Sequence, residues 1–174
     1  MFENIQRFFY DYKLKKRLKE HKVKHQVVNL KQAKTVGILF DCNNETHVEA
    51  VQKYVRTLEK QKKQVTLLAY VEKQLATETF EFPVFSKKDL TWYWQPKPEA
   101  VSEFVQQPFD ILINAFLAPS AFFEYIAIFS KAKFRVGPYL ENRVHCFDLM
   151  INGTEDNLPS FFKKVDHYLE IINQ

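Results

Sequence analysis

The hydrophobic and polar positions of this chain change period repeatedly, which predicts strands and helices in alternation. Residues 35–40 ("TVGILF") form a continuous apolar run, as expected of a strand buried on both faces. Residues 46–61 then carry apolar side chains at helical spacing, with charged side chains away from them. The apolar stripe consists of Val48, Val51, Val55 and Leu58. A second apolar run, residues 64–71, predicts the next strand.

The second half of the chain continues the alternation. Residues 109–116 predict a buried strand, residues 119–132 a helix that is apolar nearly all round, and residues 157–174 a terminal helix. The core-facing positions of the terminal helix are Phe161, Val165, Leu169 and Ile172. Shorter elements are predicted at residues 90–94 (strand "LTWYW"), 98–107 (helix), 134–139 (strand) and 146–151 (strand).

Strands that alternate with helices predict an α/β protein with a mostly parallel sheet and helices on both faces. We therefore expect a single Rossmann-like α/β domain over residues 34–174, preceded by a basic helical arm over residues 1–33. The chain has 174 residues, of which 46% are hydrophobic, and this is enough to bury a sizeable core.

The stretch "FDILINAFLAPSAFFEYIAIFSKAKFRVGPY" with "CFDLMI" after it resembles an uncharacterised family of small bacterial proteins of unknown function, over about residues 34–152. Residues 109–139 are also distantly similar to the first Rossmann-like domain of heptosyltransferase-type glycosyltransferases. The similarity lies in the order of a strand, a helix, a Ser-Lys-Ala-Lys turn and a strand that ends in Val-Gly. These are packing and turn residues, so the resemblance implies the fold and no catalytic group.

Composition excludes several classes of site. The 3 glycines are far apart, which excludes the glycine-rich loops that cradle nucleotide phosphates. The 2 cysteines and 5 histidines show neither disulfide-scaffold nor metal-ligand spacing. We therefore assign no catalytic residue, no metal and no cofactor. The N-terminus lacks a signal peptide and the most apolar stretch is interrupted by polar residues, so we expect a cytoplasmic protein without a transmembrane segment.

A polar turn follows the first strand and could be a site. The carboxyl end of the first strand carries Asp41, Asn43 and Asn44. Asn114 ends another strand on the same edge of the sheet, where open α/β sheets bind ligands. Asp and Asn are also ordinary turn formers, so these four residues are either connectors or a pocket. Thr46 and Glu49 fit a capping box for the helix that follows.

The basic arm is the strongest functional signal. Residues 1–34 hold ten Lys and Arg against three Asp and Glu, a net charge of +7, whereas the remainder has a net charge of −3. This asymmetry indicates a polyanionic partner. On a helical wheel Phe2, Ile5, Phe8, Phe9 and Tyr12 share one arc, which Lys15, Lys16 and Lys19 take over further along. The aromatic turns are expected to dock on a surface and the basic turns to contact phosphates.

The function expected from the sequence is that of a non-catalytic, cytosolic binding protein whose arm contacts RNA or a ribonucleoprotein such as the ribosome, and whose body could contact another protein. The expected nucleic-acid contacts are Lys13, Lys15, Lys16, Arg17, Lys19, Lys22 and Lys24. The alternatives are an arm that merely packs on its own body, an anionic membrane surface as partner, and a glycosyltransferase-like enzyme or sugar- or nucleotide-binding domain that uses the Asp41/Asn114 edge. Trp92 and Trp94 could stack on bases or pack internally.

Overall fold

A computed structural model of the protein describes residues 2–20, 24–72, 80–141, 145–152 and 157–172, without the side chains of residues 2, 3, 17, 18 and 20. Its strands are β1 (Thr35–Asp41), β2 (Gln64–Val71), β3 (Val84–Ser86), β4 (Ile111–Asn114), β5 (Phe134–Pro138) and β6 (Leu149–Ile151). They form one sheet in the order β3-β2-β1-β4-β5-β6. Every pairing between them is parallel. The predicted Rossmann-like α/β fold is confirmed.

The helices are α1 (Phe2–Glu20), α2 (Glu45–Lys60), α3 (Pro98–Gln106), α4 (Ala121–Phe129) and α5 (Leu158–Ile171), with a short 3-10 turn at Lys87–Asp89. Buried side chains of α2 and α5 pack on one face of the sheet. Those of α1, α3 and α4 pack on the other face. Helices thus cover both faces, as the unbroken apolar runs of β1 and β4 require.

Strand β1 shows how the sequence produces the two layers. Ile38 and Phe40 point into the layer of α2 and α5, whereas Leu39 points into the layer of α1, α3 and α4. All three side chains are fully buried, because successive residues of a strand face opposite sides of the sheet. Gly37 precedes them at a close approach: a Cβ there would lie 2.7 Å from a ring carbon of Phe109.

The predicted start of α2 is wrong. The residue that caps the helix is Asn44, whose side chain accepts a hydrogen bond from the backbone N–H of Thr46 at 2.9 Å. Helix α2 therefore begins at Glu45, and Thr46 lies inside its first turn. Asn44 takes this role because Asn is among the best N-cap residues and precedes Thr46 by two positions.

The predicted strand at residues 90–94 is also wrong. A strand does pair with β2, but it is β3, at Val84–Ser86. Residues 91–95 form a tight turn in which the Trp94 N–H donates to the Thr91 carbonyl at 3.0 Å and the Thr91 N–H donates to the Gln95 carbonyl at 2.8 Å. Trp94 has a φ of 61°, outside the β region, so the segment cannot continue as a strand.

Candidate functional site

Helix α1 lies against the body of the protein through one narrow face. Tyr10 and Leu14 are buried in the core layer of α3 and α4. The Tyr10 hydroxyl donates a hydrogen bond to the Ala121 carbonyl at 2.7 Å, and the Gln6 side chain donates to the Trp92 carbonyl at 2.5 Å. Burial raises the pKa of Tyr10 well above its usual value, so this hydroxyl keeps its proton. The helix is therefore anchored at the first turn of α4.

The aromatic arc that is expected to dock on a surface is exposed in this structure. Phe8 is 66% exposed, Tyr12 is 57% exposed and Ile5 is 45% exposed. Phe9 is partly covered by Trp92, and the two rings meet edge to face with centroids 5.0 Å apart. The body of the protein leaves this arc accessible, because the helix buries Tyr10 and Leu14 on its opposite side. The side chain of Phe2 lies outside the described residues.

The basic side chains continue the same outward face. Lys13, Lys15, Lys16 and Lys19 are all exposed on α1, and Lys24 is exposed in the segment that follows. The Arg17 side chain and the whole of Lys22, which we also expect to contact nucleic acid, lie outside the described part of the chain. The outward face thus carries exposed apolar and aromatic side chains in its first turns and exposed lysines in its later turns.

The segment between α1 and β1 is tied to the body. The Gln26 N–H donates to the Lys133 carbonyl at 3.0 Å, and the Leu30 N–H donates to the Leu169 carbonyl at 3.0 Å. The Asn29 side chain donates to two carbonyls at the end of α5, at 3.0 and 2.9 Å. Residues on both sides of the predicted boundary at residue 33 therefore contribute to one packed unit.

The polar turn after β1 is occupied with its own hydrogen bonds. Asp41 Oδ1 accepts from the Asn43 backbone N–H at 2.9 Å and from the Asn43 side-chain amide. Asn43 Oδ1 accepts from the Glu72 N–H at 2.6 Å, which links the turn to the end of β2. With Asn44 at the helix cap, these side chains serve as turn and cap residues.

Asn114 is the last residue of β4, which pairs with β1. It is 1% exposed, pairs in register with Leu39, and its side-chain oxygen accepts from the Phe116 N–H at 3.2 Å. The structure therefore places Asp41 and Asn114 on one edge of the sheet, on the two strands where the order of strands reverses. It gives each of them a local structural partner.

The two cysteines have structural surroundings. The Cys42 thiol donates to the Tyr70 carbonyl at 3.2 Å. Cys146 is fully buried, and burial raises the pKa of its thiol to about 12. A thiol with such a pKa is protonated at neutral pH and is a poor nucleophile.

A cavity of about 350 Å³ lies between α1, the turn around Trp94 and the loop that leads from β4 into α4. Its walls include Arg7, Tyr10, Trp94, Phe116, Ser120 and Glu124. Sequence reasoning did not find this site, because α1 and α4 are more than a hundred residues apart. The available signal was Glu124, the one acidic residue in an otherwise apolar helix.

The described residues show neither a metal-binding cluster nor a helix that could cross a membrane. Within ranges 2–20, 24–72, 80–141, 145–152 and 157–172, no group of three or more His, Cys, Asp and Glu side chains could hold a metal ion. No helix in the same ranges is both long and apolar enough to cross a membrane.

Comparison with known proteins identifies the family of this chain but gives no function for it. No curated protein and no solved structure shows significant similarity to the chain. Residues 6–172 match a family of unknown function (DUF6913). The matched range begins within α1 and ends one residue after α5, so it includes most of α1 and the whole sheet. The chain belongs to this family of unknown function.

Proposed function

We propose that the protein is a non-catalytic, cytosolic, bacterial binding protein whose helix α1 contacts a polyanion, most simply RNA or the ribosome. The observation that carries this proposal is the outward face of α1. Phe8 and Tyr12 are exposed on it at a spacing of one helical turn, and Lys15, Lys16 and Lys19 follow on the same side. The opposite side is held by Tyr10 and Leu14, so the body of the protein presents this face in a fixed orientation.

The chemistry of that face suits single-stranded or irregular RNA. Lysine ammonium groups neutralise phosphates and release counterions, which makes binding favourable and dependent on salt. Exposed aromatic rings stack on bases without regard to sequence. Trp92 adds a third exposed ring beside Phe9, at the end of α1 away from the lysines. Bases splayed from a loop would meet the rings while the backbone follows the lysines.

An anionic membrane surface is the second candidate, favoured by the exposure of Ile5 and Phe8 at the start of α1. Interfacial helices bury apolar side chains among lipid headgroups and hold anionic lipids with lysines. The apolar face of α1 does not continue past Tyr12, which limits the area such a helix could bury. RNA therefore fits the face better.

The glycosyltransferase-like alternative draws on the strand order, because ligands of doubly wound sheets bind where that order reverses. In this chain the reversal falls between β1 and β4, next to Asp41 and Asn114. The side chains there already make hydrogen bonds within their own turns. They offer little that is free to bind a sugar nucleotide, so we rank this alternative below a binding function.

The decisive experiment is fluorescence anisotropy of labelled single-stranded RNA at several salt concentrations. If about six basic side chains contact phosphates, affinity falls roughly 10²–10³-fold between about 50 and 200 mM salt. Reversal of Lys15, Lys16 and Lys19 to Glu should weaken binding and flatten the salt dependence. These side chains are exposed, so the thermal stability of the variant should change little.

A matched control reverses the same amount of charge elsewhere. Lys53, Arg56 and Lys60 are exposed on α2, which packs on the opposite face of the sheet. Their reversal to Glu should lower affinity far less than reversal on α1. An equal loss from both triple variants, or no salt-dependent binding by the wild type at about 50 mM salt, would refute the proposal.

Flotation with vesicles of phosphatidylserine and phosphatidylcholine distinguishes a membrane surface from RNA as the partner. The double substitution Phe8→Ala and Tyr12→Ala should abolish vesicle binding, because buried apolar area anchors an interfacial helix. The same variant should keep the salt-dependent part of its RNA affinity, which depends on the lysines. Vesicle binding without RNA binding would replace RNA by the membrane surface as the partner.

A further inference from the structure

The basic end of α1 points to the edge of the sheet at which the strands begin, here called the amino edge. The helix starts near the opposite edge, because the Tyr10 hydroxyl donates to the carbonyl of Ala121, the first residue of α4, and α4 follows the end of β4. After α1 the Gln26 N–H donates to the carbonyl of Lys133 at 3.0 Å, and Lys133 immediately precedes β5. Helix α1 therefore runs from the carboxyl edge to the amino edge, with its lysines towards the amino edge.

Further lysines lie at the amino edge. Lys34 immediately precedes β1, Lys133 immediately precedes β5, and Lys131 lies in the short connection from α4 to β5. The paired strands are all parallel, so their first residues come together. Only β4 lies between β1 and β5, which puts the starts of these two strands roughly 10 Å apart. Lys63, before β2, is not part of this surface, because its ammonium donates to two backbone carbonyls.

One carboxylate organises the chain between these lysines. Asp110 precedes β4, and its Oδ2 accepts from the backbone N–H groups of Lys34 and Thr35 at 2.8 and 3.1 Å. Its Oδ1 accepts from Lys133 Nζ at 2.7 Å. Burial raises the pKa of Asp110, but these hydrogen bonds outweigh burial and hold it at about 2. The carboxylate is therefore charged at neutral pH and offsets the charge of Lys133.

The amino edge keeps an excess of positive charge. Lys24, Lys34 and Lys131 are exposed, and no ion pair joins their side chains to another described residue. With Lys133 they make four lysines against the one carboxylate of Asp110, a net charge of +3. Lys24 precedes Gln26 by two residues, so it lies between the lysines of α1 and those before the strands. The basic surface is thus continuous from α1 to the amino edge.

We infer that the polyanion site does not end with α1 but continues over the amino edge, where Lys34, Lys131 and Lys133 contact further phosphates of the same RNA chain. This inference rests on the proposed function of α1 and adds the extent of the ligand, an RNA long enough to span both surfaces. A row of separated ammonium groups suits a chain of phosphates, because each contact releases counterions. A single small anion would meet only one or two of them.

The length of the RNA tests the extent of the site. Labelled oligouridylates of about 5 and about 20 nucleotides bracket most of the site sizes of small single-strand-binding modules. The salt dependence of binding should be steeper for the longer RNA, because each additional phosphate contact adds about 0.7 to the slope. The slope is the quantity to compare, because a longer RNA also offers more overlapping binding positions, which raises its affinity without new contacts.

Charge reversal locates the additional contacts. The double substitution Lys34→Glu and Lys131→Glu should lower the slope for the longer RNA by about 1.4 and weaken its binding at least about tenfold at about 50 mM salt. Binding of the shorter RNA, which α1 alone can hold, should change little. The matched control is Lys87→Glu with Lys88→Glu, both exposed after β3 at the carboxyl edge. This control should leave the slope for either RNA nearly unchanged.

Chemical acetylation read by mass spectrometry gives a second measurement, on the unsubstituted protein, so it remains informative if the double variant fails to fold. The longer RNA should protect Lys34 and Lys131 from acetylation and leave Lys87 and Lys88 reactive. The shorter RNA should protect lysines of α1 without protecting Lys34. The fraction of each lysine that is acetylated, with and without RNA, is the value compared.

Three results would overturn this inference while RNA binding by α1 stands: equal slopes for the two RNAs, Lys34 and Lys131 that stay reactive under the longer RNA, or a double variant that loses thermal stability without losing RNA affinity. The last result would mean that these lysines instead balance the C-terminal ends of neighbouring helices. If the unsubstituted protein binds neither RNA, the proposed function fails and this inference fails with it.

Discussion

Glu124 carries a carboxyl group into the apolar helix α4, and its surroundings determine how this affects stability. Burial raises its pKa from the usual 4.5 to about 7; Arg7 and the Ser120 backbone N–H lower it, and Asp11 raises it slightly. Tyr10 on α1 and Cys146 before β6 are the other titratable groups close enough to interact with it. The folded protein therefore holds a proton that the unfolded chain has lost between these two pH values.

This shift predicts that the protein loses stability as pH rises from about 4.5 to about 7. The folded state binds more protons than the unfolded state in this window, so the free energy of unfolding falls with increasing pH. Glu124→Gln cannot ionise, and its unfolding free energy between pH 5 and pH 8 should fall less than that of the wild type, by on the order of 2 kcal/mol. Urea unfolding at several pH values measures both slopes.

The exposed Glu103→Gln variant serves as the reference for this comparison, since it removes a carboxyl group without touching the cavity. Its pH profile should follow that of the wild type. Parallel profiles for wild type and Glu124→Gln would mean that the buried carboxyl is solvated well enough to ionise normally.

The elements show which signals a single sequence carries. Strands β1, β2 and β4 were predictable because burial on both faces demands unbroken apolar runs, and α5 because Phe161, Val165 and Leu169 recur at helical spacing. The short strand β3 was not predictable from the sequence, because three residues are too few to show a hydrophobic period. The turn at residues 91–95 contains β-favouring residues, but its hydrogen bonds hold them in a loop.

Two residues are candidates for the N-cap of α2, and the sequence alone does not decide between them. Asn44 and Thr46 are both good N-cap residues, and the choice between them depends on how β1 ends. We predict that Asn44→Ala destabilises the protein by about 1 kcal/mol, because the Thr46 N–H loses its acceptor. Thr46→Ala should cost less, since its hydroxyl donates to Asn44 and does not cap the helix. Thermal or urea unfolding measures the loss of stability in the two variants. A larger loss for Thr46→Ala would contradict the assignment of Asn44 as the N-cap.

At the scale of the whole molecule, α1 is the part whose role the sequence left most open. Its basic and aromatic residues are evident in the sequence, but both sides of the helix carry apolar side chains. Which side packs on the body depends on the surface that receives the helix. That surface is built by α3, α4 and the loops around them. The same tertiary packing forms the cavity, because its walls come from α1 and from the start of α4, which are far apart in the sequence.

Helix α1 has its inward side on the cavity and its outward side towards the proposed polyanion. Most of the stability of a helix in a protein comes from the packing of its buried face, so the order of α1 depends on Tyr10 and Leu14. We predict that Leu14→Ala accelerates hydrogen exchange in α1, because the helix loses a buried contact with α3 and α4. RNA affinity should change little, because the exposed lysines remain.

The control for this prediction is Val165→Ala on α5, another truncation of a buried apolar side chain, on the opposite face of the sheet. Both variants should lose on the order of 2–4 kcal/mol of stability, as apolar truncations in a core do, but only Leu14→Ala should loosen α1. Equal exchange rates in α1 of Leu14→Ala and of the wild type would show that the order of this helix does not depend on the buried Leu14 side chain.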